Sequence, residues 1–238
     1  MRGLERETAL RLWDMGEGLP AATRAVLLLR AGMGNVPPGE VEQLSIGRRD
    51  MELLRLRELT FGSRFEIVVT CGHCGARLEC MMRTSELTAV PALDVAPVHH
   101  VDVAGRRIEF RLPTSADFVG VESLETEAEV VAHLVARCVL HPPVCDGPLE
   151  RPTVAAIATR MLELDPQAEV LLDLTCADCG HSGSYEFDIT EYFWREIRAY
   201  VAHLMEDIDA LARAYGWREQ DVLALSDRRR EHYLRLVS

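Results

Sequence analysis

The sequence contains no lysine: all 26 basic residues are arginine. That absence excludes a lysine Schiff base and a P-loop lysine. Aromatic residues are sparse at 6%, and no apolar run is long enough to span a bilayer. The first residues, Met1-Arg2-Gly3-Leu4-Glu5-Arg6-Glu7, carry no apolar signal core, so the expectation is a cytosolic protein without a membrane contact. Positive charge is also in deficit, with 38 acidic residues and a net charge of −12, which gives no general attraction for phosphate backbones. What is present is ordinary globular composition: 48% hydrophobic and 27% charged over 238 residues, enough for one large core or two small ones.

Seven cysteines are an odd number, which argues against a fully paired disulfide framework and for thiols or metal ligands. Four of them fall in two matching stretches, Val69-Thr70-Cys71-Gly72-His73-Cys74-Gly75 and Leu174-Thr175-Cys176-Ala177-Asp178-Cys179-Gly180. Each reads as a strand running into C-x-x-C-G, with residues 75–175 lying between the hooks. Tetrahedral zinc takes four thiolates, so Cys71, Cys74, Cys176 and Cys179 form a candidate structural Zn²⁺ site with no open position for a reacting water. Glycine after each second cysteine suits a knuckle that needs positive φ.

The first hook has a rival reading, because Cys71-Gly72-His73-Cys74 is also the tetrad of thiol-disulfide isomerases. There the first cysteine opens a helix whose N-terminus lowers its pKa. Here Gly75 follows, and Leu78, Cys80 and Met82 alternate as a strand does, which favours the metal reading. His73 and His181 adjoin the hooks and stand as weak alternate ligands. Cys80 and Cys138 fit core positions, and Cys145 carries no signal. Arg228-Arg229-Arg230 invites a DNA-binding reading, but one arginine cluster on an acidic chain is a weak footprint.

The expected architecture is α+β. Residues 4–33 should be helical in two pieces, with Leu10, Trp13, Ala22, Val26 and Leu29 inward and a break at Gly18 and Pro20. Gly32, Gly34, Asn35, Pro37 and Pro38 mark a loop. Ser45 and residues 49–60 suggest a helix with Met51, Leu54 and Leu59 on one side, ended by Gly62. Phe65, Ile67 and Val69 alternate as a strand before the first hook. A linker-like run, Ala89–Pro97, precedes a strand at Arg107–Leu112. Thr126 and Glu129 form a capping box for a helix through Val131, Leu134, Val135 and Cys138, broken at His141-Pro142-Pro143. Pro152 opens another helix, with Ile157 and Met161 inward, ending near Asp165-Pro166.

Tyr185, Phe187 and Ile189 alternate after the second hook. Phe193, Ile197, Val201, Leu204, Ile208 and Leu211 then form the stripe of a long helix that Gly216 ends. Two short helices follow, near Glu219–Leu225 and after Ser226. The chain divides into an N-terminal helical region (1–62), the first half of a zinc ribbon (63–88), a strand-and-helix insertion (89–168), the second half of the ribbon (169–189) and a C-terminal helical region (190–238).

The order of these features resembles the baseplate hub-assembly family of T-even-like contractile phages and related contractile injection systems. The matching residues are Ile46-Gly47-Arg48-Arg49-Asp50, Leu53-Leu54, Leu56-Arg57 and Phe61-Gly62, then Asp165-Pro166 and the second hook. They continue with Phe193-Trp194-x-Glu196, Leu211-Ala212-x-x-Tyr215-Gly216-Trp217, Leu223, Leu225, Arg228-Arg229 and Tyr233-Leu234. Gly72 and Ala177 stand where the commoner hook has proline. The resemblance implies a non-enzymatic role in building a tail baseplate, with hub, tail tube or other baseplate proteins as partners and incorporation into a tail-like particle. Trp194, Tyr200 and Trp217, read as exposed, are candidate interface aromatics. A nucleic-acid-binding or transcription-associated zinc ribbon is the alternative, and an oxidoreductase the third reading.

Overall fold

A computed structural model describes residues 1–34, 36–37, 39–89, 96–141 and 149–237. Asn35, Pro38, the centre of the linker-like run (residues 90–95), Pro142, Pro143 and Cys145 lie outside the described residues. The elements in order are α1 (Arg6–Gly16), α2 (Ala21–Met33), α3 (Ile46–Phe61), β1 (Arg64–Thr70), β2 (Arg77–Arg83), α4 (Thr84–Leu87), β3 (His99–Val103) and β4 (Arg106–Phe110). They continue with α5 (Glu127–Cys138), β5 (Val139–His141), α6 (Arg151–Leu164), β6 (Leu171–Thr175), β7 (Ser182–Glu186), α7 (Ile189–Tyr215), α8 (Glu219–Leu223) and α9 (Asp227–Val237). The fold is mixed α+β, as the sequence predicts.

Among the described residues, three apolar clusters organise the fold. In the largest, α1, α2, α3 and α7 pack with the inner residues of the two hairpins, Phe65 and Ile67 from β1 and Leu172 from β6. A second lies in the middle segment, between the β3-β4-β5 sheet and helices α5 and α6, around Phe110, Val135, Cys138 and Ile157. A third, around Leu211, Val222 and Leu225, seats α8 and α9 on the end of α7. Helix α7 reaches two of the three. Its expected stripe is buried at Phe193, Ile197, Val201, Leu204 and Leu211, with Ile208 half-buried. Each fully buried side chain of this size contributes about 1.5–3 kcal/mol of transfer free energy. Asp188 caps the helix by accepting from the Thr190 and Glu191 N–H groups, and Gly216 ends it at φ 67°.

Several expectations are corrected. Trp194 is 2% exposed, not a surface aromatic, because its ring fills the space beside Gly16, where a Cβ would come within 2.3 Å. Tyr200 and Trp217 are half-buried. Leu59 is 50% exposed; the buried face of α3 runs through Leu53, Leu54, Leu56 and Arg57 instead. Trp13, Ala22 and Val26 are half-buried, while Ala9, Leu12, Ala25 and Leu28 lie deeper beside Leu10 and Leu29. Cys138 is fully buried, as expected of a core position, whereas Cys80 is only half-buried. Helix α5 ends at Cys138, before the prolines, because Val139 and His141 pair with Phe110 and Glu109 of β4. The strand β3 and the single turn α4 carry no pattern strong enough to be read beforehand.

Two polar joints stand out among the described residues, one between the largest cluster and the middle segment and one within the largest cluster. At the first, α3 meets the segment before β6: the Gly47 N–H donates to Asp165 Oδ2 at 2.8 Å. Only glycine fits, since a Cβ at position 47 would lie 2.1 Å from Asp165 Oδ1. At the second, buried Arg57 pairs in a two-pronged contact with Glu196 of α7 and donates to the Gly62 and Arg64 carbonyls, each at 2.6 Å. Its guanidinium lies 3.9 Å from the Phe65 ring centroid. Tyr192 adds a pair of bonds across the same junction: its hydroxyl accepts from the Glu66 N–H at 3.0 Å and donates to the Glu66 carbonyl at 3.1 Å. These contacts tie α7 to α3 and to β1.

The Arg57 joint and a buried carboxylate of the middle segment each give a test. Arg57→Met should destabilise the fold by about 3–5 kcal/mol, because it leaves a carboxylate and two carbonyls without their donor; urea unfolding measures this, and Glu196→Gln should cost less. Asp117 is 1% exposed and accepts both Arg111 guanidinium nitrogens at 2.7 Å and the Thr114 N–H at 2.8 Å. Burial alone would raise its carboxyl, but these donors outweigh burial and hold it at about 2, below its ordinary 3.8. A depressed carboxylate stabilises above its unfolded pKa and loses that contribution as pH falls through the folded one. The deficit of Asp117→Asn, full at neutral pH, should therefore narrow as pH falls from 3.8 to about 2.

Candidate metal centre

Each cysteine hook is the turn of an antiparallel hairpin. β1 pairs with β2 from Arg64 opposite Arg83 to Thr70 opposite Arg77. β6 pairs with β7 from Leu171 opposite Glu186 to Thr175 opposite Ser182. Alternation does the local work: Phe65 and Ile67 face the core while Arg64, Glu66 and Val68 face out.

The two turns close in the same way. In the first, the Cys71 N–H donates to the Ala76 carbonyl at 2.8 Å and the Gly75 N–H to the Cys71 carbonyl at 2.9 Å. In the second, the Cys176 N–H donates to the His181 carbonyl at 2.8 Å and the Gly180 N–H to the Cys176 carbonyl at 2.9 Å. Gly75 and Gly180 take φ of 76° and 71°. This left-handed conformation costs a residue with a Cβ about 1–2 kcal/mol.

The hairpins bring four sulfurs together. Cys71 Sγ lies 3.8 Å from Cys179 Sγ, and Cys74 Sγ lies 3.7 Å from Cys176 Sγ. All four fall within 4.8 Å of one another, a group that could hold a metal ion. The first cysteine of each hook is buried and the second exposed. The cross pairing joins the first cysteine of one hook to the second of the other. Such separations are far beyond the S–S bond of about 2.05 Å, and these cysteines are free. Among the described residues, no other group of three or more histidine, cysteine or acidic residues converges in this way.

Electrostatics distinguishes the sulfurs. The Cys74 and His73 N–H groups donate to the Cys71 sulfur and bring that thiol down from 9.0 to about 6. At Cys179 the His181 N–H favours the thiolate, but desolvation and the other three sulfurs outweigh it and push the thiol up to about 12. Four thiols at this spacing cannot all ionise unless a cation joins them.

His73 and His181 are absent from the sulfur group. Their exposed rings stack on each other with centroids 5.3 Å apart. Tyr185 of β7 is a neighbour that spacing alone did not single out as part of the site. Burial raises its phenol, and the Cys71 and Cys176 sulfurs beside it add to that shift. Its only sequence signal is an inward register position two residues before Phe187. The isomerase-like tetrad occupies a hairpin turn with Cys71 buried, rather than the N-terminus of a helix. Arg230 of the basic cluster pairs with Asp207 and Asp227, so its charge is compensated. No helix among the described residues is long and apolar enough to cross a membrane.

Residues 34–141 match the family model of the T4 bacteriophage base plate protein. The match supports a phage baseplate protein family. It contains α3, the first hook and most of the middle segment, and it stops before the second hook. No curated protein and no solved structure matches the chain.

The turn glycines provide a local test. Gly75→Ala and Gly180→Ala should each cost about 1–2 kcal/mol in urea unfolding. Gly72→Ala should stay within about 0.5 kcal/mol, because a Cβ there meets open space.

Proposed function

We propose that this chain is a structural component of a contractile phage tail-like baseplate, whose two hairpins form one zinc ribbon. Cys71, Cys74, Cys176 and Cys179 are its zinc ligands. The single observation that carries the baseplate role is the family match over residues 34–141. For the metal, the support is the sulfur geometry. Four thiolates at about 2.3 Å from a tetrahedral zinc define an edge of about 3.8 Å, close to the 3.7 and 3.8 Å cross pairs. The N–H groups directed at Cys71 would favour its thiolate and orient it toward the ion.

The role is non-enzymatic. Four sulfurs complete a tetrahedral shell and leave no position for a reacting water. When bound, the zinc supplies a cross-link between segments distant in sequence, and its binding free energy adds to folding, on the order of 10–16 kcal/mol in small zinc domains at neutral pH. The partners are other baseplate, hub or tail tube proteins. The half-buried Tyr200 and Trp217 remain available in part to such an interface.

Two measurements test this reading. Purified chain should contain one zinc per molecule, and a chelator strong enough to remove it should lower the thermal midpoint by 10 °C or more (on the order of ΔΔG/ΔS for a few kcal/mol). Full zinc retention in a Cys71→Ser/Cys176→Ser variant would rule out the assignment of ligands. The tagged chain should co-purify with tail tube, hub or other baseplate proteins expressed beside it. Salt-sensitive retention on DNA without any such partner would favour the nucleic-acid reading instead.

A further inference from the structure

A surface groove of about 890 Å³ lies between α1 and α8, bordered also by the end of α3 and by Tyr200 of α7. Helical spacing builds one wall. Glu7, Leu10, Arg11 and Asp14 line it at steps of three and four, so one face of α1 borders the groove over about two turns. The floor is apolar: Leu4, Phe61, Tyr200 and Leu223 are half-buried and pack on the largest core cluster. The Phe61 and Tyr200 rings meet with centroids 5.6 Å apart.

One side chain braces the two walls. Arg6 of α1 donates to the Leu225 carbonyl at 2.6 Å and to the Leu223 carbonyl at 3.3 Å, and it pairs with Asp227. The groove is thus formed before anything enters it, which lowers the ordering cost of binding. Its charge is one-sided. Glu7, Asp14 and Glu219 are exposed, and their carboxylates have no ion-pair or hydrogen-bond partner among the described residues. Arg11, on the same rim, bonds only the Thr8 hydroxyl, at 3.4 Å. Three uncompensated carboxylates therefore outnumber one uncompensated guanidinium.

We infer that this groove docks an amphipathic helical segment of a partner protein, with apolar residues against the floor and arginine or lysine against the rim. A wall of about two turns suits an incoming helix that presents apolar residues at i, i+3 or i+4, and i+7. Charge decides among occupants. A second copy of this chain carries a net charge of −12 and meets the acidic rim with overall repulsion, whereas a basic segment meets it with attraction. Nucleic acid is repelled for the same reason. The inference rests on the baseplate reading for the class of partner. It adds which face of this chain that partner covers and what chemistry it brings.

The test is capture of tail tube, hub and other baseplate proteins co-expressed with the tagged full chain. The wild-type chain should retain at least one of them, and Glu7→Arg/Asp14→Arg should weaken retention by about tenfold. Glu122→Arg/Glu231→Arg makes the same change of net charge at exposed positions elsewhere and should leave retention unchanged. Far-ultraviolet circular dichroism confirms that the variants remain folded. On the wild-type complex, backbone hydrogen exchange in α1 and α8 should slow relative to the free chain, a readout that needs no variant. Equal retention by Glu7→Arg/Asp14→Arg, or unchanged exchange in α1 and α8, would overturn the groove while leaving the baseplate reading intact. Capture of none of these proteins by the wild-type chain would overturn both. A wild-type chain that sediments as a dimer, with Glu7→Arg/Asp14→Arg a monomer, would assign the groove to a second copy and also overturn the inference.

Discussion

The structure depends on closing a long loop. Cys74 and Cys176 stand 102 positions apart, yet their sulfurs lie 3.7 Å from each other. Loop closure over that length costs about 4 kcal/mol of chain entropy beyond a constant. The core around Phe65, Leu172, Phe187 and Phe193 offsets part of it, since both hairpins feed side chains into that cluster. The turns themselves are exposed on their outer sides at Cys74 and Cys179. Apolar burial therefore holds the bases of the hairpins, and the proposed ion would hold their tips.

Helix α7 turns this closure into a rigid frame. It follows the second hairpin directly, and Tyr192 and Glu196 near its start reach across to β1 and α3 of the first half. A displacement of one hairpin against the other would break those bonds as well as separate the sulfurs. The far end of α7 carries α8 and α9, packed around Leu211, Val222 and Leu225 with Tyr233 against Trp217. A baseplate component must present fixed surfaces to several neighbours, and a chain tied at both ends of its longest helix is suited to that demand. The middle segment is joined through Gly47 and Asp165, and through Gln167, whose amide donates to the Leu87 carbonyl at 3.0 Å.

Local patterns were readable from the sequence, and partners distant along the chain were not. The hooks were legible because C-x-x-C-G between alternating strands is a short, local motif that occurs twice, and the structure brings its four cysteines together. The stripe of α7 was legible because six apolar residues share one helical face. No helical periodicity marks Arg57 as buried. Its role comes from Glu196, 139 positions away, which no periodicity reports. Trp194 was misread because it flanks the stripe, and only the glycine at position 16 of another helix makes room for it. β3 begins with two histidines, and β5 has three residues, too few for alternation to register.

The central claim is that a single metal ion, coordinated only by sulfur, joins the two halves of the ribbon. X-ray absorption at the zinc edge, measured on the purified chain, tests it most directly. The account predicts one shell of four sulfur atoms at about 2.3 Å. A shell containing nitrogen or oxygen, or protein whose four cysteines are oxidised in pairs and hold no zinc, would contradict it.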